Sequence, residues 1–191
     1  MSKTLNRKVG EMKYDNLIAG LTPPVHVNSG TLRKLAAAAE YKRGTVLAKS
    51  SRDNKLVILG TTAAEAEAAV PPTYTLTVDQ TVDTSKTYYT RSGTAPNYTY
   101  TPVANPVDSD IGTYYEMTSP GSPAVDAEVL TPDCVLTDDV SIGTTSDVVV
   151  TVYTAGHFNK AALIVKTEYT ITEADKDKLR ERGLYLGKIL S

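Results

Sequence analysis

Side chains able to do chemistry are few in this chain: two histidines, one cysteine and a handful of short acidic runs among 191 residues. His157 follows a β-branched run and precedes Phe158, so it reads as a turn histidine more readily than as a general base. Cys134, next but one to Pro132 and without a histidine nearby in sequence, reads as a buried, inert thiol. Asp108 and Asp110 flank Ser109 in an alternation resembling calcium ligands, but no glycine turn and bidentate glutamate complete the loop, and Asp138-Asp139 reads likewise as a solvated turn. There is no Gly-x-Ser-x-Gly, no phosphate-cradling glycine loop and no His-Glu-x-x-His. Neither Cys-x-x-Cys nor His-x-x-x-His spacing is present to hold zinc or iron. The expectation is a protein without catalytic residues, cofactor or metal, and so not an enzyme.

The tyrosines offer a different chemistry, that of recognition. A block from about Pro71 to Pro123 carries Thr-Tyr-Tyr twice, at Tyr88-Tyr89 and Tyr114-Tyr115, and alternates through Tyr98, Thr99, Tyr100 and Thr101. Exposed tyrosine supplies large contact area at low entropy cost, so Tyr88, Tyr89, Tyr98, Tyr100, Tyr114 and Tyr115 are candidates for a protein- or sugar-binding surface. The competing reading is that a small sheet poor in aliphatic residues uses these rings as its own core and cross-strand pairs. Neighbouring rings on a strand point to opposite faces, so one of each pair is expected inward and the other outward.

Composition sets the frame for both. With 41% apolar and 22% charged residues the sequence has an ordinary globular balance, and its net charge of -2 argues against a protein-wide nucleic-acid surface. A lone cysteine excludes an intrachain disulfide framework and suits a reducing compartment. No apolar run approaches the roughly 20 residues needed to cross a bilayer, and the N-terminus lacks a signal-type apolar segment, so the expectation is synthesis in the cytoplasm and no membrane partner.

The elements that must position these residues are mostly strands. Residues 1–28, with Pro23-Pro24 and Gly20, read as an extended arm whose apolar Tyr14, Leu17, Ile18, Leu21 and Val25 seek a surface to cover. Leu32 to Tyr41 has the alanine and leucine content of a short helix. Thr45–Lys49 and Lys55–Leu59 flank a turn and predict a hairpin. Val148–Tyr153 predicts a strand buried on both faces and ended by Gly156. Thr172, with Asp175 three residues on and Gly183 at the far end, punctuates a C-terminal helix, followed by a short strand at Leu184. Within the block, Tyr74–Val78 alternates as a strand, Arg91–Thr94 reads as a turn, and a three- or four-stranded meander is expected. The sum is a mainly β fold with one or two short helices, a core of residues 29–70 and 124–191, and a small all-β insertion over 71–123.

With the insertion set aside, the order of motifs in the flanks becomes informative. Tyr14-Asp-Asn-Leu-Ile-Ala-Gly20 before Pro23-Pro24-Val25, Lys42-Arg-Gly-Thr-Val-Leu-Ala48, Tyr153-Thr-Ala-Gly-His-Phe158 through Leu163, and Leu179-Arg-Glu-Arg-Gly-Leu-Tyr-Leu186 resemble the lambda-type head decoration proteins of tailed bacteriophages. The resemblance implies a homotrimer on the outer surface of the expanded capsid, whose partner is the major capsid protein and whose role is to stabilise the head against packaged DNA. It places the capsid-binding arm on Tyr14, Leu17, Ile18, Pro23, Pro24 and Val25, treats Gly44 and Gly156 as backbone features, and calls for no direct nucleic-acid contact. Simple members lack the Tyr/Thr block. An adhesin-like module that meets a glycan or host surface, or a tail-tube subunit, are the alternative readings.

Overall fold

The computed structural model describes residues 16–188. Its strands, in chain order, are β1 (Ile18–Gly20), β2 (His26–Leu32), β3 (Ala39–Tyr41), β4 (Val46–Ser50), β5 (Leu56–Ile58), β6 (Thr73–Leu76), β7 (Tyr88–Thr94), β8 (Asn97–Pro102), β9 (Tyr115–Ser119), β10 (Leu130–Leu136), β11 (Val140–Ile142), β12 (Val148–Asn159) and β13 (Leu184–Gly187), with the α-helix α1 (Glu173–Glu181) and short 3₁₀ turns at Asp108–Thr113 and Lys160–Ala162. The protein is mainly β, as the sequence predicts. It divides into two compact units: the first formed by the residues up to Ala64 and from Glu128 onward, the second by Glu65–Ala127.

In the first unit β12 pairs with β10, β10 with β4, β4 with β5, β5 with β2 and β2 again with β12, closing a small barrel. Alternation along the strands explains its two cores. Leu47, Leu56, Cys134, Leu136 and Val152 fill the barrel with Leu32 and Ile142, while Val46, Ala48, Val57 and Val135 turn outward onto Leu17, Phe158, Leu179 and Leu184. Strands β4, β5 and β10 are therefore apolar on both faces, which is why they read as continuous runs rather than alternating ones. The hairpin predicted at Ser50–Asn54 forms, with Leu47 opposite Ile58 and Lys49 opposite Leu56.

Three expectations change here. Val148–Tyr153 is not buried on both faces: Val149 is 73% exposed, and only the alternate residues of this stretch, ending with Val152, face the barrel. Gly156 does not end the strand. It sits within β12 at φ 144, beyond a bulge between Tyr153 and Ala155, and a Cβ there would lie 3.0 Å from the Phe158 ring. Leu32–Tyr41 forms no helix. Leu32 closes the barrel, the Arg33 and Leu35 backbone N–H groups donate to Leu56 and Gly143 carbonyls, and Lys34 N–H donates to Asp147. These long-range bonds and the burial of Leu32 outweigh an alanine-rich helix propensity worth a few tenths of a kcal/mol per residue, roughly.

The C-terminal punctuation forms as read. Thr172 Oγ1 accepts from Asp175 N–H while the Asp175 carboxylate accepts from Thr172 N–H, a reciprocal capping box, and Gly183 follows the helix at φ 92. Helix α1 then seats Leu179 beside Leu184 in the outer core. Replacing Thr172 by Ala removes one arm of the box and is expected to cost about 1 kcal/mol, read as a lowered midpoint in chemical denaturation.

Candidate functional site

The second unit is a four-stranded sheet in the order β6-β9-β7-β8, so β9 inserts between β6 and β7 and the sheet is not a simple meander. Its limits lie beyond 71–123 because backbone bridges join Glu67 to Val125 and Val70 to Ser122. Arg91–Thr94 belongs to β7 rather than to a turn, and the chain reverses at Ala95-Pro96.

The two faces of this sheet differ in kind. On one, Tyr88, Ile111 and Tyr114 form the unit's buried core, with Val82 and Val103 against it. Both phenols there are committed: Tyr88 donates to Asp79 at 2.8 Å and accepts from Asp83 N–H, and Tyr114 accepts from Val107 N–H. Lys86 bridges Asp79 and Glu116 beside them, and Thr77 donates to Glu116 in a short hydrogen bond. The neighbouring cation and the Tyr88 hydroxyl hold Asp79 below the usual carboxylate range. Tyr88 and Tyr114 are thus core residues and drop out of the candidate surface, since a ring at 0% or 4% exposure presents nothing to a partner.

The other face carries their sequence neighbours. Tyr89 is paired with Tyr115 across β7 and β9, and Arg91 with Tyr100 across β7 and β8. Tyr74 joins them from β6, stacked on Tyr100 at 3.9 Å between centroids and edge-on to Tyr89 at 5.0 Å. Tyr100 in turn meets Tyr115 edge-on at 5.4 Å. The Arg91 guanidinium lies 4.4 Å from the Tyr98 ring centroid and 4.7 Å from that of Tyr115. Reasoning from Thr-Tyr-Tyr pairs finds Tyr89 and Tyr115 but misses Tyr74 and Arg91. The signal was present in the alternation of Tyr74 with Thr73 and Thr75, and in the even spacing of Arg91 from Tyr89.

The expected capsid-binding residues lie in the first unit, apart from Tyr14, which is outside the described residues. From Asn16 to residue 28 the chain lies on its own fold rather than standing off as an arm. Leu17 is 4% exposed in the outer core, and its carbonyl accepts from Asn159 N–H at 2.8 Å. Ile18 pairs with Phe158 and Gly20 with His157. Leu21 and Pro24 are exposed, Pro23 and Val25 half-buried, and His26 already belongs to β2. The reason is the apolar content of the segment: Leu17 and Val25 find their covering surface on Phe158 and the Gly156 backbone.

Around them the four resembling segments converge. Gly44, at φ 88, donates to the Leu136 carbonyl and accepts from Ile164 N–H, and a side chain there would press on Leu17 and the Ala162 carbonyl. Gly156 N–H donates to the Gly183 carbonyl, and β13 runs parallel to β12 from Gly156 onward. A cleft of about 430 Å³ opens beside Pro23 between His157, Lys176, Arg180 and Tyr185. Lys176 and Arg180 are already paired there with Glu173 and Asp177. Cys134 is wholly buried in the barrel, and burial pushes its thiol up, away from the reactive thiolate. Asp108 accepts from Val82 N–H, and Asp139 from Arg43 N–H and Lys42. Among the described residues, no three histidine, cysteine or acidic side chains converge on a common point.

The class defined by this geometry is a small β-barrel protein carrying a β-sheet insertion with a tyrosine-rich face. No protein family, curated protein or solved structure matches the chain.

Proposed function

We propose that the protein is a capsid decoration protein, which binds as a homotrimer to the outside of the expanded phage head and holds neighbouring major capsid proteins together. The observation that carries this reading is the convergence of the four sequence segments that resemble the decoration family. Although an inserted unit separates them in sequence, three of them pair along the second half of β12, where β1 and β13 flank it on opposite edges, and the fourth joins them through Gly44, packed against Leu17, and Arg43, which donates to the Tyr153 hydroxyl. A fold shared with that family requires these segments to come together, and their meeting supports the reading.

Because Leu17 and Ile18 serve their own fold, the capsid-binding arm is taken to be the residues before Asn16, Tyr14 among them, and exposed Leu21 and Pro24 remain candidates with them. A truncation through residue 15 keeps Leu17 of the outer core, whereas one through residue 25 removes it. Co-sedimentation with expanded heads and with unexpanded procapsids should show binding to the former, and the truncation through residue 15 should lower it at least tenfold. Equal binding to procapsids would remove the decoration reading, and undiminished binding by the truncated chain would remove the arm.

A further inference from the structure

We propose that the tyrosine-rich face of the inserted unit is a carbohydrate-binding site for pyranose glycans that bear a carboxylate. This inference does not depend on the decoration reading. Three observations carry it. First, the face is aromatic and open: Tyr98 is 40% exposed and Leu76 51%, while Tyr74, Tyr89, Tyr100 and Tyr115 are partly exposed around them. Ring faces of this kind stack on the C–H faces of sugars as well as on other flat groups.

Second, its polar groups are uncommitted. Among the described residues, the phenolic hydroxyls of Tyr74, Tyr89, Tyr98, Tyr100 and Tyr115 have no hydrogen-bond partner in the chain, in contrast to those of Tyr88 and Tyr114 on the covered face. A surface that alternates ring faces with free hydroxyls matches a polyol, which alternates C–H and O–H. It matches an aliphatic protein surface less well, because such a partner would strip water from the hydroxyls without replacing their hydrogen bonds.

Third, the charges discriminate. The unit has two basic residues, Lys86 and Arg91, against eight acidic ones. Lys86 is consumed by Asp79 and Glu116, but Arg91 has no carboxylate partner among the described residues and is held only by the rings of Tyr98 and Tyr115. A single positioned guanidinium pairs with one carboxylate. The unit's net negative charge opposes the closely spaced phosphates of a nucleic acid, which would otherwise also suit stacking tyrosines.

The test uses the full chain on an array of immobilised pyranose glycans in matched pairs, sialylated or uronate-containing against neutral, with an oligo-dT strand alongside. The expected result is retention on carboxylate-bearing glycans at least about tenfold above their neutral counterparts, the factor one charge-assisted contact supplies. Arg91→Ala should lower retention to the neutral level, and Arg91→Lys should keep part of it. Tyr98→Ala should weaken neutral and acidic glycans alike; since the Tyr98 ring touches Arg91 but neither Tyr74 nor Tyr100, this change spares the stacked cluster. Tyr88→Phe, on the covered face, should leave the pattern unchanged, and melting curves check that each variant folds. No retention on any glycan, equal retention of neutral and acidic members, binding indifferent to Arg91 and Tyr98, or preference for oligo-dT would each overturn the proposal. So would undiminished capture of a mucin after its glycans are removed, which would mark a protein partner.

Discussion

Replacing Phe158 with Ala is expected to be the most damaging single change in the barrel unit, lowering its unfolding free energy by about 3–5 kcal/mol. Phe158 is fully buried, its ring centroid lies 5.5 Å from that of Tyr153, and it belongs to the outer core with Leu17, Leu179 and Leu184. Its backbone is the meeting point of three strands, opposite Ile18 on β1 and Leu186 on β13. Truncation leaves a cavity that cannot collapse easily, because the strands on either side are fixed by their ladders. Against a total stability of about 5–15 kcal/mol for a typical domain, that loss is a large fraction. Urea denaturation followed by far-UV circular dichroism measures it, and a loss below about 1 kcal/mol would mean that the outer core is not packed as described.

The second large effect concerns Glu128, whose side chain is 3% exposed and lies where the chain returns to the barrel unit. One carboxylate oxygen accepts from Arg33 at 2.6 Å and from Ser50 at 2.5 Å, and the other accepts from Ala64 N–H at 3.0 Å. Arg33 extends the network to Asp53 at 2.8 Å. The carboxylate therefore binds together β4, the loop after β2 and the segment at Ala64 that leads into the insertion. Glu128→Ala would strand the Ser50 hydroxyl and the Ala64 N–H and is expected to cost about 3 kcal/mol, with Glu128→Gln losing less because its amide oxygen still accepts.

This network also sets an acid limit. Arg33, with Ser50 and the Ala64 N–H, lowers the Glu128 carboxyl from its ordinary 4.5 to about 2, and Arg33 likewise lowers Asp53 from 3.8 to about 2. A carboxylate with a depressed pKa in the folded state adds stability above its unfolded value and loses it as protons bind. Stability should hold down to about pH 5 and fall progressively between about pH 4.5 and 2. Glu128→Gln should flatten that decline in denaturation curves taken across the same range. An unchanged slope would show that the carboxylate is not the titrating group.

These two residues illustrate what the sequence could and could not reveal. Local chemistry was legible: the Thr172–Asp175 box and the Ser50–Asn54 reversal each lie within a dozen residues and formed as read, and the β-branched run at Val148 forms a strand, though one that is neither buried on both faces nor ended by Gly156. Long-range chemistry was not. Nothing near Glu128 in sequence announces a partner 95 residues away at Arg33. The alanine run after Leu32 favours helix locally, yet Leu32 is claimed by the barrel and the backbone beyond it by Leu56 and Gly143. Burial on both faces belonged to β4 and β10, each between two cores, and not to the first half of β12, whose Val149 faces solvent.

The tyrosine block shows the same division. That the two rings of each Thr-Tyr-Tyr pair part company follows from strand geometry alone, and Tyr88 and Tyr114 are buried while Tyr89 and Tyr115 share the opposite face. Which member goes inward is decided by the loop and the 3₁₀ turn at Asp108–Thr113, which supply Val82 and Ile111 as cover. Strand order, with β9 between β6 and β7, then brings Tyr74 within stacking distance of Tyr100 on a strand it does not touch in sequence or in the ladder.

The proposed decoration of an expanded capsid is decided by electron microscopy of phage particles made with and without this protein. Trimeric density is expected on the outer surface at the three-fold and quasi-three-fold positions of the expanded head, absent from procapsids and from particles lacking the protein. Density confined to the tail, or a head surface unchanged by removing the protein, would contradict it.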